Sequence, residues 1–159
     1  MRSVIVSIDV PQAPEPVYDF LDVMANHELF TNHYLTNWRY GGPDRGVGSR
    51  VTVTAALGGA KADVGIEVIE AERPWRIVER NTGAGGRRQA RGTYRIEPLP
   101  AGGSRVSFEY ALLRAPLSER LLAPLVRATI RRANRVGMRR MAAELTRGES
   151  AAAGRVIPK

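Results

Sequence analysis

The sequence has 159 residues, of which 43% are hydrophobic and 25% charged, an ordinary composition for one globular domain. It contains no cysteine, which excludes disulfides, thiolate metal sites and cysteine nucleophiles. The formal net charge is +8, and a basic protein can meet nucleic acid, anionic lipid or an acidic partner.

The first residues alternate between apolar and polar side chains from Val4 to Val10. They lack the continuous apolar segment and the small-residue cleavage site of a signal peptide. No stretch of about 20 apolar residues follows, so we expect no membrane-spanning helix. The pattern predicts a first strand over residues 2–10 and a cytoplasmic protein.

Two short helices are predicted after this strand. Pro14 and Pro16 suit a first helical turn, where backbone amides have no intrahelical partner. Val17, Phe20 and Met24 then recur at the spacing of a buried helix face. Residues 26–30 predict the second helix.

From Leu35 to Leu112 the period of apolar residues changes to two, and glycine- or proline-containing turns separate the runs. This pattern predicts about six strands, which short turns make antiparallel neighbours. One face of the sheet is apolar and the other carries Arg, Glu and Thr, as expected for a sheet covered on one side.

A long helical pattern follows from Leu117 to about Arg147. Pro124 should either kink this helix or mark its true beginning. At about 100° per residue, one face collects Leu122, Leu125, Val126, Thr129, Ile130, Ala133, Val136, Gly137 and Met141. Arginines four apart form a stripe on the other side, called here the arginine stripe: Arg127, Arg131, Arg135 and Arg139. Residues 148–159 lack periodicity and predict a flexible tail behind a domain of residues 1–147.

One long amphipathic helix after many strands predicts an α+β domain, because the helix needs a sheet to cover its apolar face. The order of elements resembles the START-like superfamily (SRPBCC), in its polyketide cyclase/dehydrase and lipid-transport branch. The matching stretches are Ile8-Asp9-Val10 followed by APEPVYDFL, then VIEAERPWRIVER, GTYRIEPLPAGGSRVSFEY and the last helix.

The resemblance implies a helix-grip fold, in which a curved antiparallel sheet of six to seven strands wraps the C-terminal helix and leaves a cavity. It also implies binding of lipids, polyketides, hormones or other small apolar molecules, with catalysis in a minority of members. The branch has no universal catalytic motif, so no catalytic residue is assigned. No cofactor is expected.

If such a cavity exists, the inward faces of the elements predict its wall. The sheet would supply Trp38, Tyr40, Tyr94, Phe108 and Tyr110, and the helix would supply Val126, Ile130, Ala133 and Gly137. Few polar groups in an apolar wall are typical of small-molecule sites, although the same residues could form a packed core. Arg140, near the middle of the apolar face, would bind a ligand carboxylate or extend to water at the helix end.

The remaining polar candidates are few. His27 and His33, six residues apart with only Glu28 nearby, make a poor metal site, and none is predicted. His33 or Tyr34 could lie at the mouth of the cavity. Alternation places three acids, Asp63, Glu67 and Glu109, on the outer face, where Arg91 or Arg95 would pair with them.

Three functions remain open at this point. The first is binding of a small hydrophobic ligand for transport or sequestration, and the second is a cyclase or dehydratase that uses the same cavity. The third is a basic module, since eight arginines and one acid lie between Arg114 and Arg140. Its arginine stripe would contact an anionic membrane or an acidic partner. Sequence-specific recognition of nucleic acid is not expected, because no aromatic residues interleave the stripe.

Overall fold

Seven strands and four α-helices make up the part of the chain that the structure, a computed structural model, describes: residues 2–153. In chain order they are β1 (Val4–Val10), α1 (Pro14–Asp22), α2 (Met24–Thr31), β2 (Leu35–Gly41), β3 (Arg50–Leu57), β4 (Ala60–Glu72), β5 (Arg76–Gly83), β6 (Arg88–Pro98), β7 (Ser104–Arg114), α3 (Leu117–Leu121) and α4 (Ala123–Ala153). Within these residues, no helix is both long and apolar enough to cross a membrane.

The strands form one antiparallel sheet in the order β1-β7-β6-β5-β4-β3-β2. Strands β2 to β7 each pair with the next in sequence, as their short turns require, and β1 closes the far edge against β7. Val4 lies opposite Tyr110, and Val10 lies opposite Ser104. The predicted α+β architecture, with two short helices after the first strand and a long C-terminal helix, is confirmed.

The core lies between the inward face of the sheet and the helices. The side chains with at most 1% of their surface exposed come from both layers. They include Val53, Ile77 and Val106 of the sheet, Leu21 of α1 and Met141 of α4. Helix α4 packs against α2 and β1, while α1 contacts β6 and α2 contacts β2. Burial of this shared apolar face holds the layers together.

The three acids predicted on the outer face of the sheet all form ion pairs there. One pairs with an arginine that the sequence predicted, and two pair with other arginines. Glu109 pairs with Arg95 at 3.9 Å, as expected. Asp63 instead pairs with Arg39 at 3.2 Å, and Glu67 pairs with Arg80 at 2.6 Å. These acids lie outside the core and are separated from it by the sheet.

The long helix begins and ends differently from its predicted bounds. A five-residue helix, α3, precedes it, and α4 begins at Ala123 with Pro124 in its first turn, which confirms the predicted break. At the other end α4 continues to Ala153, so residues 148–153 of the predicted tail are helical. Periodicity missed this extension because an exposed helix end needs no apolar face. Residues 154–159 lie outside the described residues.

The first turns of α4 are not covered by the sheet. Leu122 and Leu125, predicted to be buried, are 56% and 63% exposed, and the buried face begins only at Ile130. Three leucines of β7 and α3 are exposed as well, and the five are called here the leucine patch: Leu113, Leu117, Leu121, Leu122 and Leu125.

Candidate ligand-binding cavity

A buried space of about 70 Å³, called here the inner cavity, lies between the sheet, α2 and α4. Apolar side chains such as Met24, Val64, Ile66 and Phe108 form much of its wall. Its polar lining consists of His27, Thr31, Tyr34, Glu79, Asn81, Arg88, Tyr94, Tyr110 and Asn134. An apolar wall with a few converging polar groups is the usual composition of a small-molecule site.

Local periodicity explains why polar groups reach this space. Side chains two apart share one face of a strand, so Ile77, Glu79 and Asn81 of β5 all point inward. In α2, Met24, His27 and Phe30 follow one another at three-residue intervals and are all buried. The same patterns that build the core therefore carry an acid, an amide and a histidine into it.

A second space, about 260 Å³ in volume and called here the outer groove, adjoins the inner cavity. It lies between the β3–β4 hairpin and the beginning of α4, and its wall is largely apolar, including Leu57, Leu122, Leu125 and Val126. Four residues line both spaces: Ala55, Leu57, Arg88 and Ile130. The leucine patch thus borders the route from solvent to the inner cavity.

An ion pair stands at the junction of the two spaces. Nε of Arg88, on β6, lies 3.3 Å from Oε2 of Glu119, on α3, and the two side chains are 16% and 27% exposed. Because Arg88 lines both spaces, this pair connects α3 to the sheet beside the cavity.

The structure brings most of the predicted ligand-binding residues together. Those that line the inner cavity are Tyr34, Trp38, Tyr94, Phe108, Tyr110, Ile130 and Ala133, whereas Val126 lines the outer groove. Their role in binding stays a prediction. Four other candidates, Tyr40, Gly137, Arg140 and His33, line neither space.

Tyr40 lies beyond the end of the inner cavity. Its ring stacks on Trp38 with 6.0 Å between centroids, but the side chain is half exposed and its hydroxyl donates a hydrogen bond to Glu28 Oε2 at 2.6 Å. Strict alternation had placed both aromatic residues on the cavity wall. After a bulge between Thr36 and Arg39, Tyr40 lies opposite Val51 and so still faces inward, but it is two residues further along the edge strand than Trp38.

Gly137 and His33 belong to the contact between α2 and α4. A Cβ atom on Gly137 would lie 3.4 Å from the carbonyl oxygen of Phe30, an ordinary contact distance, so the approach of the two helices does not require a glycine here. Nε2 of His33 lies 3.0 Å from the carbonyl oxygen of Ala133 and donates to it, and burial lowers the pKa of this imidazole. His33 therefore lies in this helix contact and lines neither the inner cavity nor the outer groove.

Arg140 is exposed and lies beside the end of α2. Its Nη1 donates a hydrogen bond to Oδ1 of Asn32, the residue that follows α2, at 2.6 Å. The guanidinium thus binds a helix end and is directed away from both spaces. A contact with a ligand carboxylate in the cavity does not fit this placement.

The sequence interpretation missed a buried pair, Glu79 and His27. Their side chains are 5% and 6% exposed, and His27 Nδ1 lies 3.4 Å from Glu79 Oε1. Two signals were available. Glu79 follows Ile77 at the two-residue period of an inward face, and His27 follows Met24 at the three-residue spacing of a buried helix face. A histidine weighed only as a metal ligand or a mouth residue was not placed on that face.

Burial governs the ionisation of the groups in the inner cavity. It raises the pKa of Glu79, and the nearby His27 opposes this shift. Burial also raises the pKa of Tyr34, Tyr94 and Tyr110, with a smaller contribution from Glu79 in each case. These tyrosines are therefore neutral hydrogen-bonding groups at physiological pH.

No metal centre is formed by the arrangement of residues 2–153: they contain no group of three His, Cys, Asp or Glu side chains placed to hold an ion.

Comparison with protein families gives one match over nearly the whole chain. The family described as polyketide cyclase / dehydrase and lipid transport matches residues 1–146. The chain belongs to this family. No curated protein matches this polyketide cyclase/dehydrase family member in sequence.

Solved structures share its fold at low sequence identity. The crystal structure of TTHA0849 from Thermus thermophilus is 18% identical with a TM-score of 0.72, over 92% of this chain and 99% of that one. Ara h 8.0201 is 14% identical with a TM-score of 0.65, over 91% and 97%. The di-domain ARO/CYC BexL of the BE-7585A biosynthetic pathway is 15% identical with a TM-score of 0.70, over 89% of this chain and 49% of BexL. At these identities the comparisons show the fold alone.

Proposed function

We propose that the protein binds a small hydrophobic ligand, such as a lipid or a polyketide, in the inner cavity and outer groove, for transport or sequestration. The observation that carries the proposal is the continuity of the two spaces through shared lining residues, Ala55, Leu57, Arg88 and Ile130. Ligand sites commonly measure about 300–1,000 Å³. The inner cavity, at about 70 Å³, is too small for a whole ligand, so the ligand would extend into the groove.

Removal of apolar surface from water would drive this binding. At about 25 cal/mol per Å², a ligand that buries roughly 200 Å² of apolar area gains about 5 kcal/mol before the costs of association. The exposed leucines at the groove, Leu122 and Leu125, support the proposal, because apolar surface left open beside a cavity is typical of binding sites.

Native mass spectrometry of the freshly purified protein, followed by organic extraction, tests the proposal and identifies the ligand class. A titration with a neutral apolar fluorophore, N-phenyl-1-naphthylamine, measures the affinity of the protein for an apolar ligand. The variant Ala133→Leu, which narrows the inner cavity, should weaken binding at least fivefold. Ala143→Leu, the same change on an exposed position of α4, is the matched control and should bind as the wild type does. An apo mass together with equal affinities in both variants would contradict cavity binding.

A cyclase or dehydratase is the second candidate function, and the hydroxyl-bearing wall of the cavity favours it. Tyr94 and Tyr110 line the space where a substrate would lie, and both belong to the closed part of the site. The family description and the similarity of fold to BexL support the same idea. Turnover of an aromatic polyketide precursor should fall in Tyr94→Phe and Tyr110→Phe but not in His33→Gln, whose side chain lies outside the cavity.

A contact of the arginine stripe with an anionic membrane or an acidic partner is the third candidate. Arg135 and Arg139 are exposed, and the structure of residues 2–153 gives no stripe residue an ion pair. Binding to vesicles containing phosphatidylglycerol should weaken steeply with salt and disappear in Arg135→Gln/Arg139→Gln. Salt-independent binding would refute it. The expected cytoplasmic location stays a prediction, which fractionation of the source cells would test.

A further inference from the structure

Polar groups without partners line the part of the inner cavity away from the outer groove, called here its closed end. Glu79 is 4% exposed and Asn81 is 8% exposed, and both project from the inward face of β5. Within the described part of the chain, Asn81 Nδ2 donates no hydrogen bond, and Glu79 Oε1 forms none either, although His27 Nδ1 lies 3.4 Å from it. Buried polar groups are rarely left in this state, because a group that has lost its water and gained no partner destabilises the fold. A ligand in the cavity is the partner that both could reach.

The state of Glu79 follows from its neighbour His27. Nε2 of His27 donates to the carbonyl oxygen of Leu21 at 2.7 Å, so the ring presents Nδ1 to Glu79 Oε1 at 3.4 Å. Without a proton between them, two lone pairs would face each other. A proton on the carboxyl removes this repulsion, and burial, which raises the pKa of Glu79, favours that protonated form. At 3.4 Å the carboxyl is only loosely bound to His27 and can turn to a stronger acceptor.

The surroundings select against a charged ligand group. The other titratable side chains around the carboxyl are neutral tyrosines: Tyr34, Tyr94 and Tyr110. The cation that lines the cavity, Arg88, already faces Glu119 at 3.3 Å. A ligand carboxylate would lose its water beside a buried acid, whereas a neutral oxygen could accept hydrogen bonds from the carboxyl and the Asn81 amide.

The backbone also makes room for this carboxyl. A Cβ atom on Gly92, opposite Glu79 in β6, would lie 3.2 Å from Glu79 Oε2. The absence of a side chain at this position leaves the carboxyl space to lie against the sheet.

We propose that the closed end of the inner cavity recognises a neutral carbonyl or hydroxyl oxygen on an otherwise apolar ligand, with the carboxyl of Glu79 as the principal hydrogen-bonding group. The proposal rests on the proposed function, since it names the class of ligand that the cavity binds.

The test compares ligands of one shape by displacement of N-phenyl-1-naphthylamine. The wild type should bind 2-acetylnaphthalene about tenfold more tightly than 2-ethylnaphthalene, and more tightly than 2-naphthoate. Glu79→Gln, whose amide still donates, should keep most of this preference, and Glu79→Leu should reduce it at least threefold. Glu109→Leu, the same change on the outer face, is the matched control and should preserve the preference.

The outcomes separate the two proposals. If no naphthalene displaces the fluorophore, ligand binding in the cavity is itself wrong. If the ketone and the hydrocarbon bind equally, or naphthoate binds best, only the recognition of a neutral oxygen is overturned. A second measurement uses the wild type alone and so does not depend on whether a variant folds. The infrared stretch of a ¹³C-labelled carbonyl in 2-acetylnaphthalene should lie at lower wavenumber in the bound ligand than in hexane, because a hydrogen bond to the oxygen weakens the carbonyl bond. An unshifted band would also overturn the proposal.

Discussion

Replacement of two buried glycines by alanine should change stability in opposite directions. Gly92 lies on β6 beside the inner cavity, and Gly137 lies on α4 against α2. The same added methyl group meets different surroundings at the two sites, which makes the pair a direct test of the packing described above.

At Gly92 the new Cβ would lie 3.1 Å from two ring carbons of Phe108 and 3.2 Å from Glu79 Oε2. Phe108 packs against Tyr94 with 4.5 Å between ring centroids, so the ring can retreat only into the inner cavity. Overpacking of this kind costs typically about 1–3 kcal/mol. We expect Gly92→Ala to lose about 1–2 kcal/mol and also to bind the fluorophore more weakly, because the displaced ring takes up ligand space.

At Gly137 the nearest atom is the carbonyl oxygen of Phe30 at 3.4 Å, and the next is a His33 ring carbon at 3.8 Å. Both distances allow ordinary van der Waals contact. Alanine is favoured over glycine in a helix interior by about 1 kcal/mol. Gly137→Ala should therefore gain about 0.5–1 kcal/mol and leave ligand affinity unchanged, because this position lines neither space.

Urea unfolding followed by circular dichroism gives both free energies, and thermal unfolding checks them, with a change of about 2–4 °C expected per kcal/mol for a domain of this size. Equal or greater stability in Gly92→Ala would show that Phe108 is not confined as described. A loss of stability or of ligand affinity in Gly137→Ala would mean that this glycine does keep space open beside the helix.

Three further predictions concern single side chains. Arg140→Leu should lower the free energy of unfolding by about 0.5–1.5 kcal/mol, because the hydrogen bond to Asn32 is lost, and should leave the affinity for acidic ligands unchanged. A lower affinity for acidic ligands would show that Arg140 takes part in binding them. Because burial raises the pKa of Glu79, the folded state binds more protons than the unfolded state above the ordinary value of 4.5, and this group destabilises the fold as pH rises from there. Glu79→Gln should therefore gain stability relative to the wild type between pH 5 and pH 8 in urea titrations; a constant difference would show that the carboxyl does not titrate in this range. Leu125→Ser should weaken fluorophore binding, whereas Leu121→Ser, in the leucine patch but outside the outer groove, should not. Equal effects of the two changes would show that the outer groove does not take part in binding.

The order of strands and helices was predictable from the sequence because its causes are local. A period of two, interrupted by glycine and proline, is decided by neighbours a few residues apart, and short turns then leave little choice of pairing for β2 to β7. The break before α4 was equally local, since Pro124 fits only the first turn of a helix. Seven of the twelve candidate ligand or mouth residues line the inner cavity, and six of them do so for the same reason: they lie on inward faces of strands or of α4, whereas Tyr34 lies in the turn before β2.

Only the tertiary structure decided where those faces stop being covered and what faces them. Leu122 and Leu125 continue the apolar face of α4, yet they are exposed because the sheet does not extend over the beginning of that helix. Tyr40 faces inward opposite Val51, yet it lies past the part of the edge strand that lines the cavity. Glu79 and His27 lie far apart in sequence, and no local pattern states that a strand and a helix bring them within 3.4 Å. The sequence by itself determined the elements and their apolar faces, whereas the polar end of the cavity depends on long-range packing.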